Sequence, residues 1–296
     1  MAHTGMEMKT ANSGMTAEEQ WDFIIQPKRK WLDIDLCALW RYRDLWMMYV
    51  KRNFITTYRQ TVLGPMWFFI QPIMTIIIYM FIFGGLAQIP TEGIPQPLFY
   101  MAGILLWNYF IDCFNASSNV FTSNSDVFGK VYFPRLIVPL SGITSCLFKL
   151  GVQAMLLIFI YIWCSRSNDS FSVNWTLCLF PLMIVIIAFH GFSWGLIVSS
   201  FTYKYRDLQL LLGFMTQMLM YATPVVYPLS TIPEKYKFIV ELNPLTPIFE
   251  TFRNGCFNVG STDWWGLLYS LFFMIVVLTC SVLLFNRVER NFMDCV

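Results

Sequence analysis

The sequence predicts an all-α membrane protein with six transmembrane helices, an N-terminal amphipathic helix at the membrane interface, and re-entrant helices before the last span. Three observations predict this fold class. Only 13% of the 296 residues are charged, whereas a soluble domain carries roughly 25%. Six long apolar runs recur along the chain. A basic amphipathic segment precedes the first run, and a proline-broken apolar segment precedes the last.

The first apolar run, Met66–Ala87, contains no charged residue. A helix of this length extends about 33 Å, which is enough to cross a hydrocarbon core of roughly 30 Å. The other predicted spans are Leu98–Phe121, Leu136–Trp163, Leu177–Ser200, Leu208–Pro228 and Trp264–Phe285.

The distribution of lysine and arginine predicts the orientation of these spans. Fifteen of the 20 basic residues lie in segments on the same side as the N-terminus, and four lie on the other side. Cytoplasmic loops carry such an excess, so both termini are predicted to be cytoplasmic. The predicted domains are a tail (1–35), the interface helix with its connector (36–65), the six-helix domain (66–286) and a second tail (287–296).

The segment Leu36–Phe54 places apolar residues at helical spacing and its charges largely elsewhere around the helix. Trp40 belongs to the apolar stripe, whereas Arg43 interrupts it and Asp44 lies outside it. A basic amphipathic helix with tryptophans is typical of the membrane interface. Packing against a soluble partner is the alternative, and both could hold for different faces of one helix.

The loop after the second span has an unusual composition. Its aromatic residues are bracketed by cations and are followed at once by proline, which favours a small protruding knob. Such a knob suits docking into a groove on a cytoplasmic partner. The knob consists of Lys130, Val131, Tyr132, Phe133, Pro134 and Arg135.

The chain lacks the glycine-rich GxxxxGK[ST] loop of nucleotide-binding proteins, so any ATPase must be another chain. It has two histidines and no CxxC pair, and no paired carboxylates at a recognisable spacing. We therefore predict no catalytic residue, no metal site, no bound cofactor and no nucleic-acid partner. Asp112, Lys149 and His190 are the ionisable groups within spans. They predict either structural pairing and wetting of a pore or direct ion coupling.

Aromatic residues make up 18% of the chain. Many must belong to the interfacial belts or face lipid. The excess also fits a surface on which sugar rings stack and slide, because aromatic rings bind their C–H faces without a fixed hydrogen-bond pattern. The candidate channel aromatics are Trp67, Phe68, Tyr79, Phe83, Trp107, Phe110, Phe214 and Tyr221.

The segment Leu229–Asp263 is too apolar for a freely solvated loop, and prolines prevent a continuous helix. Short helices that dip back into the outer interface would fit, and an ordinary extracellular loop is the alternative. The residues predicted to shape this outer gate are Pro228, Pro233, Asn243 and Pro244.

Several motifs in chain order carry a resemblance to a known family. The chain from Leu39 to its C-terminus resembles the transmembrane subunit of ABC-2 type exporters of polysaccharides and polyol phosphates, which include O-antigen, capsule and teichoic acid exporters. The motifs are Arg43-Asp44, the run from Tyr58 to Gly64, the knob, Tyr205-Arg206-Asp207, Pro224 to Pro228, Asn243-Pro244 and the ending from Phe285 to Asp294.

The resemblance implies a homodimer bound to two copies of a separate ATPase subunit, which uses ATP and Mg²⁺. It implies that the knob and the interface helix, including Trp40, Arg43 and Asp44, contact that ATPase, and that the outer helices gate the exit.

The expected function is the permease subunit of an ATP-driven exporter that moves a polysaccharide linked to polyprenyl pyrophosphate, such as O-antigen, across the bacterial inner membrane. Arg52, Arg59, Arg135 and Arg206 lie near the cytoplasmic surface and could hold the pyrophosphate, because a guanidinium matches phosphate geometry. A teichoic acid, capsule or drug exporter, a membrane glycosyltransferase and a passive channel are the alternatives.

Overall fold

The computed structural model describes residues 36–58, 62–124, 133–166, 173–202, 205, 207–260 and 262–293. These residues are helical apart from short turns and connectors, and no strand occurs among them, so the predicted all-α membrane fold is confirmed. The helices are α1 Leu36–Arg41, α2 Arg43–Tyr58, α3 Trp67–Tyr79, α4 Gln96–Ser118, α5 Val120–Ser123, α6 Ile137–Ser165, α7 Phe180–Thr202, α8 Leu208–Ala222, α9 Glu234–Glu241, α10 Thr246–Phe257 and α11 Trp264–Met293.

Five helical stretches among the described residues are long and apolar enough to cross a membrane. They correspond to five of the six predicted spans and are Gly64–Leu86, Gln96–Ser118, Ile137–Ser165, Trp175–Thr202 and Trp264–Val288. The predicted span Leu208–Pro228 differs, because α8 ends at Ala222 after 15 residues and a turn segment follows it. A helix of that length extends about 22 Å, which is shorter than a hydrocarbon core.

Helix α4 lies at the centre of the bundle and contacts α3, α6, α7 and α10. Its side chains from Leu98 to Leu106 are almost completely buried, although they face every direction around the helix axis. A helix that is apolar all round requires neighbours on every side, and α4 has them.

Helices α4 and α7 approach each other closely in this core. Gly191 and Gly195 stand one turn apart on α7, and a Cβ at either would lie within 2.7 Å of the carbonyl oxygen of Phe110 or Phe114. Glycines at this spacing let two membrane helices approach closely. The close approach matters because lipid is as apolar as the helices, so their association depends on van der Waals packing rather than on the hydrophobic effect.

The predicted interface helix forms as two helices that meet at Tyr42, and α2 packs against α6 of the same chain. The predicted amphipathic pattern is not borne out, because apolar residues of α2 such as Met47 and Met48 lie on its exposed side as well. The indole nitrogen of Trp46 donates to Thr144 Oγ1 at 3.1 Å, and the Phe54 and Phe148 rings lie 5.4 Å apart. One face of α2 is therefore covered by its own bundle, and the opposite face stays open.

Candidate functional site

A groove of about 1080 Å³ opens between α2, α3, α4 and α6. It lies where α3 and α6 begin and α4 ends, so the connectivity of the chain brings these ends together. We call this the α2–α6 groove. Its lining residues are Arg52, Asn53, Phe54, Thr56, Trp67, Phe68, Gln71, Asp112, Asn115, Ala116, Asn119, Val120, Ser123, Asn124, Val138, Gly142, Ser145, Cys146 and Lys149.

Helices α3, α4 and α6 each contribute one stripe of residues at helical spacing to the groove lining. On α4 the stripe is polar apart from Ala116 and contains Asp112 and Asn115, and Asn119 continues it directly after the helix ends. On α3 the stripe contains Trp67 and, one turn later, Gln71. A polar stripe on an otherwise apolar membrane helix indicates a water-accessible path, because lipid cannot satisfy these groups.

An ion pair lies in the wall of the groove. Lys149 Nζ donates to Asp112 Oδ1 at 2.9 Å, and about a quarter of each side chain is exposed. The sequence predicts either structural pairing or ion coupling for these two intramembrane residues. In the structure they form an ion pair between α4 and α6. His190 lies elsewhere, where its Nε2 is 3.3 Å from Ser270 Oγ in the buried contact between α7 and α11.

The predicted phosphate-binding arginines have separate outcomes. Arg52 lines the groove, where its guanidinium stacks 4.3 Å from the Tyr49 ring centroid and donates to Asn124 Oδ1 at 3.3 Å. Arg135 is buried and does not reach the groove, so its predicted phosphate contact is not supported. Arg59 and Arg206 lie outside the described residues.

The candidate channel aromatics divide into three groups. Trp67 and Phe68 line the groove, and Phe214 and Tyr221 are exposed on α8. Tyr79 and Phe83 are partly buried and meet edge to face, with their ring centroids 5.3 Å apart.

Trp107 and Phe110 belong to the core of the chain and are 6% and 2% exposed. Their predicted channel role required an open surface, so the structure corrects this part of the prediction. The physical reason is that α4 is enclosed by its neighbours and packs its aromatic rings inside the bundle.

The predicted knob also needs correction where it is described. Phe133 is 5% exposed and its ring centroid lies 6.1 Å from that of Tyr49, so it packs under α2 and does not protrude. Pro134 is partly buried and Arg135 is buried. Lys130, Val131 and Tyr132 lie outside the described residues.

The other predicted docking residues are accessible. Trp40 is 70% exposed, and the side chains of Arg43 and Asp44 are 66% and 97% exposed with 3.9 Å between Arg43 Nε and Asp44 Oδ1. An exposed tryptophan beside two opposite charges is a surface that suits a protein partner.

The segment before α11 contains the short, proline-bounded helices that the sequence predicted. Pro233 precedes α9, and Asn243 and Pro244 separate α9 from α10. The Asn243 side chain donates to Thr223 Oγ1 at 2.9 Å and accepts from the backbone nitrogen of Leu245 at 3.1 Å. The predicted gate residue Pro228 is buried and begins a short 3₁₀ turn.

Arg253 on α10 is the structural centre of the segment before α11, and no role for it was predicted from the sequence. Its Nη2 donates to the carbonyl oxygens of Pro224 at 2.6 Å and Val225 at 2.9 Å, and Nη1 donates to that of Tyr227 at 3.4 Å. Nη1 also lies 3.2 Å from Glu250 Oε1. Burial raises the pKa of the Glu250 carboxyl, and the positive charge of Arg253 opposes that shift.

The turn that Arg253 holds lies directly on α4. A Cβ at Gly103 would stand 2.3 Å from the Val225 carbonyl oxygen, so only glycine permits this contact. The Ser230 hydroxyl donates to Glu92 in the loop between α3 and α4. The segment before α11 is therefore bound both to the central helix and to the loop that precedes it. A lone arginine in an apolar segment was the sequence signal for this centre.

The described residues form a helical membrane bundle with a half-polar groove at one end and the turn segment bonded by Arg253 at the other. The model of the ABC-2 type transporter family matches residues 44–257, which is more than half of the chain. The chain therefore belongs to the ABC-2 type transporter family, and it is a multi-pass transport subunit rather than an enzyme.

The names of individual relatives refer to O-antigen export and to polysialic acid transport. The O-antigen export system permease protein RfbA of Klebsiella pneumoniae is 27% identical over 258 residues, which cover 85% of this chain and 94% of the relative. RfbA of Myxococcus xanthus is 26% identical over 73% of this chain and 81% of its own length. The polysialic acid transport protein KpsM of Escherichia coli is 23% identical over 81% of this chain and 91% of its own length.

Proposed function

We propose that this chain is the permease subunit of an ATP-driven exporter that moves a lipid-linked polysaccharide from the cytoplasmic to the outer side of the bacterial inner membrane. The observation that carries the proposal is the α2–α6 groove, which joins an arginine, exposed amides and the indole of Trp67 at one membrane end. The names of the relatives support a polysaccharide as the cargo. A drug exporter would need a more apolar lining.

The proposed orientation has both termini in the cytoplasm, and it rests on the excess of basic residues on that side. The groove is then at the cytoplasmic end, because it lies where α3 begins and α4 ends. Arg52 at its edge would hold the pyrophosphate of the lipid carrier. The segment fixed by Arg253 is then at the outer end, where we propose that it forms a re-entrant gate.

Two copies of this chain and two copies of an ATPase subunit would form the exporter. The ATPase binds ATP and Mg²⁺, since the chain lacks the nucleotide-binding loop. We propose that the ATPase docks on the exposed face of α1 and α2 that carries Trp40, Arg43 and Asp44. Because α2 packs on α6 and lines the groove, closure of the ATPase would move a groove wall directly.

Depletion of this chain in its native cell tests the proposed cargo. We expect surface polysaccharide to disappear and the same glycan, still attached to its polyprenyl carrier, to accumulate inside the inner membrane. Lipid extracts analysed by mass spectrometry measure both pools. The composition of the accumulated glycan separates O-antigen from capsule and from teichoic acid, which contains polyol phosphate. Unchanged surface glycan after depletion would show that the chain exports another cargo.

The double variant Trp40→Ala/Arg43→Glu tests the docking surface. Tryptophan and arginine at an interface centre often contribute about 2 kcal/mol or more each, and a loss of about 2 kcal/mol from one of them alone lowers the affinity for the ATPase by about 30-fold, so the double variant should lose at least that much. Both side chains are exposed, and the stability of the chain should change by less than about 0.5 kcal/mol. Microscale thermophoresis against the purified ATPase measures the affinity.

Trp265→Ala is the matched control for this variant, because Trp265 is 82% exposed on α11 at the proposed outer end. It should leave the affinity for the ATPase unchanged. Equal affinities for the parent chain and the double variant would remove α1 and α2 from the docking surface.

A further inference from the structure

The interior of the α2–α6 groove is electrically almost neutral. The charged residues of its lining are Arg52, Asp112 and Lys149. Lys149 is bonded to Asp112 at 2.9 Å, so the charge of each is balanced by the other. Arg52 is bonded to a side-chain amide, Asn124, rather than to a carboxylate. The positive charge available to an anion is therefore located at the Arg52 wall, whereas the remainder of the groove has no free charge to attract a phosphate.

The rest of the groove presents uncharged hydrogen-bonding groups. Asn115 on α4 and Gln71 on α3 are exposed in the lining, and each amide offers both donors and an acceptor. Trp67 lies one turn before Gln71, and 48% of its surface is exposed. An indole ring flanked by amides is complementary to a pyranose ring. The pyranose has apolar C–H faces that stack on the indole, and its hydroxyl groups donate hydrogen bonds to amides and accept them from amides.

We propose that this groove binds the first sugar unit of the lipid-linked glycan, with the amides of Asn115 and Gln71 on its hydroxyls and the Trp67 ring against its face. The inference rests on the proposed function and deepens it, because it gives the groove a preference for the sugar itself. Arg52 then holds the phosphate that joins the sugar to its carrier. The volume of about 1080 Å³ is sufficient, since pockets of roughly 300–1,000 Å³ hold drug-sized ligands.

The arrangement has a consequence for selectivity. A carrier lipid without a glycan could meet Arg52 but would leave the exposed amides to water. A carrier with a sugar satisfies both parts of the groove. The chain would therefore distinguish loaded from empty carrier before any nucleotide is hydrolysed, and this preference does not require a particular glycan sequence.

A binding experiment with two probes tests this inference. The full-length chain, assembled with its ATPase in lipid nanodiscs without nucleotide, is titrated with polyprenyl pyrophosphate and with polyprenyl pyrophosphate that bears a single N-acetylhexosamine. We expect the sugar-bearing lipid to bind about tenfold more tightly, because two amide hydrogen bonds contribute on that order. Native mass spectrometry of the nanodiscs reads out the occupancy of each probe.

The variant Gln71→Leu/Asn115→Leu should lose most of the tenfold preference, because only the contact of the sugar with the Trp67 ring remains. Asn108→Leu is the matched control, since Asn108 is an amide on α4 that does not line the groove, and it should keep the tenfold preference. Equal binding of both probes by the unaltered chain would overturn the inference. An undiminished tenfold preference in the double variant would overturn it too.

Arg52→Gln separates this inference from the proposed function. It should weaken the binding of both probes by about tenfold and leave their ratio unchanged, because it removes a charge-assisted contact to phosphate. Unchanged affinity for the bare carrier in Arg52→Gln would contradict the phosphate contact of the proposed function. The test of the sugar preference does not depend on that outcome, because it rests on the variant Gln71→Leu/Asn115→Leu.

Discussion

Replacing Arg253 with methionine should destabilise the chain by about 3–5 kcal/mol, which is typical when one partner of a buried charge pair is removed. Arg253 is 3% exposed, and its guanidinium lies 4.1 Å from the Phe99 ring centroid. The substitution leaves the carbonyl groups of Pro224 and Val225 without this donor and leaves the carboxylate of Glu250 unpaired. Each buried polar group that loses its partner keeps its full desolvation cost.

Unfolding of the purified chain in micelles with a rising fraction of sodium dodecyl sulfate measures this loss. Lys237→Met is the control, because Lys237 is half-exposed and forms a surface pair with Glu241 at 3.7 Å. Such a pair contributes at most about 1 kcal/mol. Arg253→Lys should also be strongly destabilised, since an ammonium group cannot reproduce the planar fork that bonds several carbonyl groups.

The same variant tests the outer gate. If the segment bonded by Arg253 seals the path, liposomes that contain Arg253→Met should leak a small solute that the parent retains. An unfolding midpoint equal to that of the parent would refute the structural role of Arg253. Retained impermeability in a clearly destabilised variant would refute only the gate.

The span positions could be predicted from sequence because a bilayer imposes one length and one polarity on every spanning helix. Five of the predicted spans correspond to helices of sufficient length. The end of the span that begins at Leu208 was misplaced, because apolar residues continue past Ala222. Hydropathy alone cannot show that a turn begins at Thr223 and Pro224. The Pro224 carbonyl group in this turn accepts a hydrogen bond from Arg253, which lies 29 residues later in the chain.

The orientation of individual side chains was harder to predict. Trp107 and Phe110 are aromatic residues within an apolar run, as Trp67 is, so the sequence does not distinguish them. They differ in the structure because α4 is enclosed by other helices and α3 is not. The sequence around Phe133, an aromatic residue between cations, predicts a protruding side chain. In the structure the Phe133 ring instead packs against Tyr49 of α2. Whether an aromatic faces a pore, lipid or another helix depends on the packing order of the helices, which periodicity within one segment does not contain.

The polar groove shows which part of a site can be anticipated. Asp112 and Lys149 were recognisable as unusual because charges within spans are rare. Their pairing required α4 and α6 to be neighbours at the right depth. Asn115 and Gln71 carried no signal of their own, since a single amide in an apolar run has many structural explanations. Only the juxtaposition of three helices turns these residues into one surface.

Breaking the ion pair in the groove should have the second large effect. Lys149 lies twelve residues into α6, about 18 Å along the helix and thus near the middle of a bilayer core. A lone charge at that depth costs about 2.5–3.5 kcal/mol on insertion scales. Asp112→Asn and Lys149→Met should each destabilise the chain by about 2–3 kcal/mol in the unfolding assay, slightly less than this cost because the groove exposes part of both side chains.

The double variant Asp112→Asn/Lys149→Met distinguishes a structural pair from an ion-coupling site. It removes both charges, so the stability should return to within about 1 kcal/mol of the parent, and the two single effects should not add. If the pair only maintains the groove, the double variant also restores glycan export to the surface. If Asp112 or Lys149 carries an ion during transport, export stays abolished although the fold is recovered. Recovery of stability together with export would therefore assign the pair to structure, because a group that must titrate or bind an ion cannot be replaced by a neutral one.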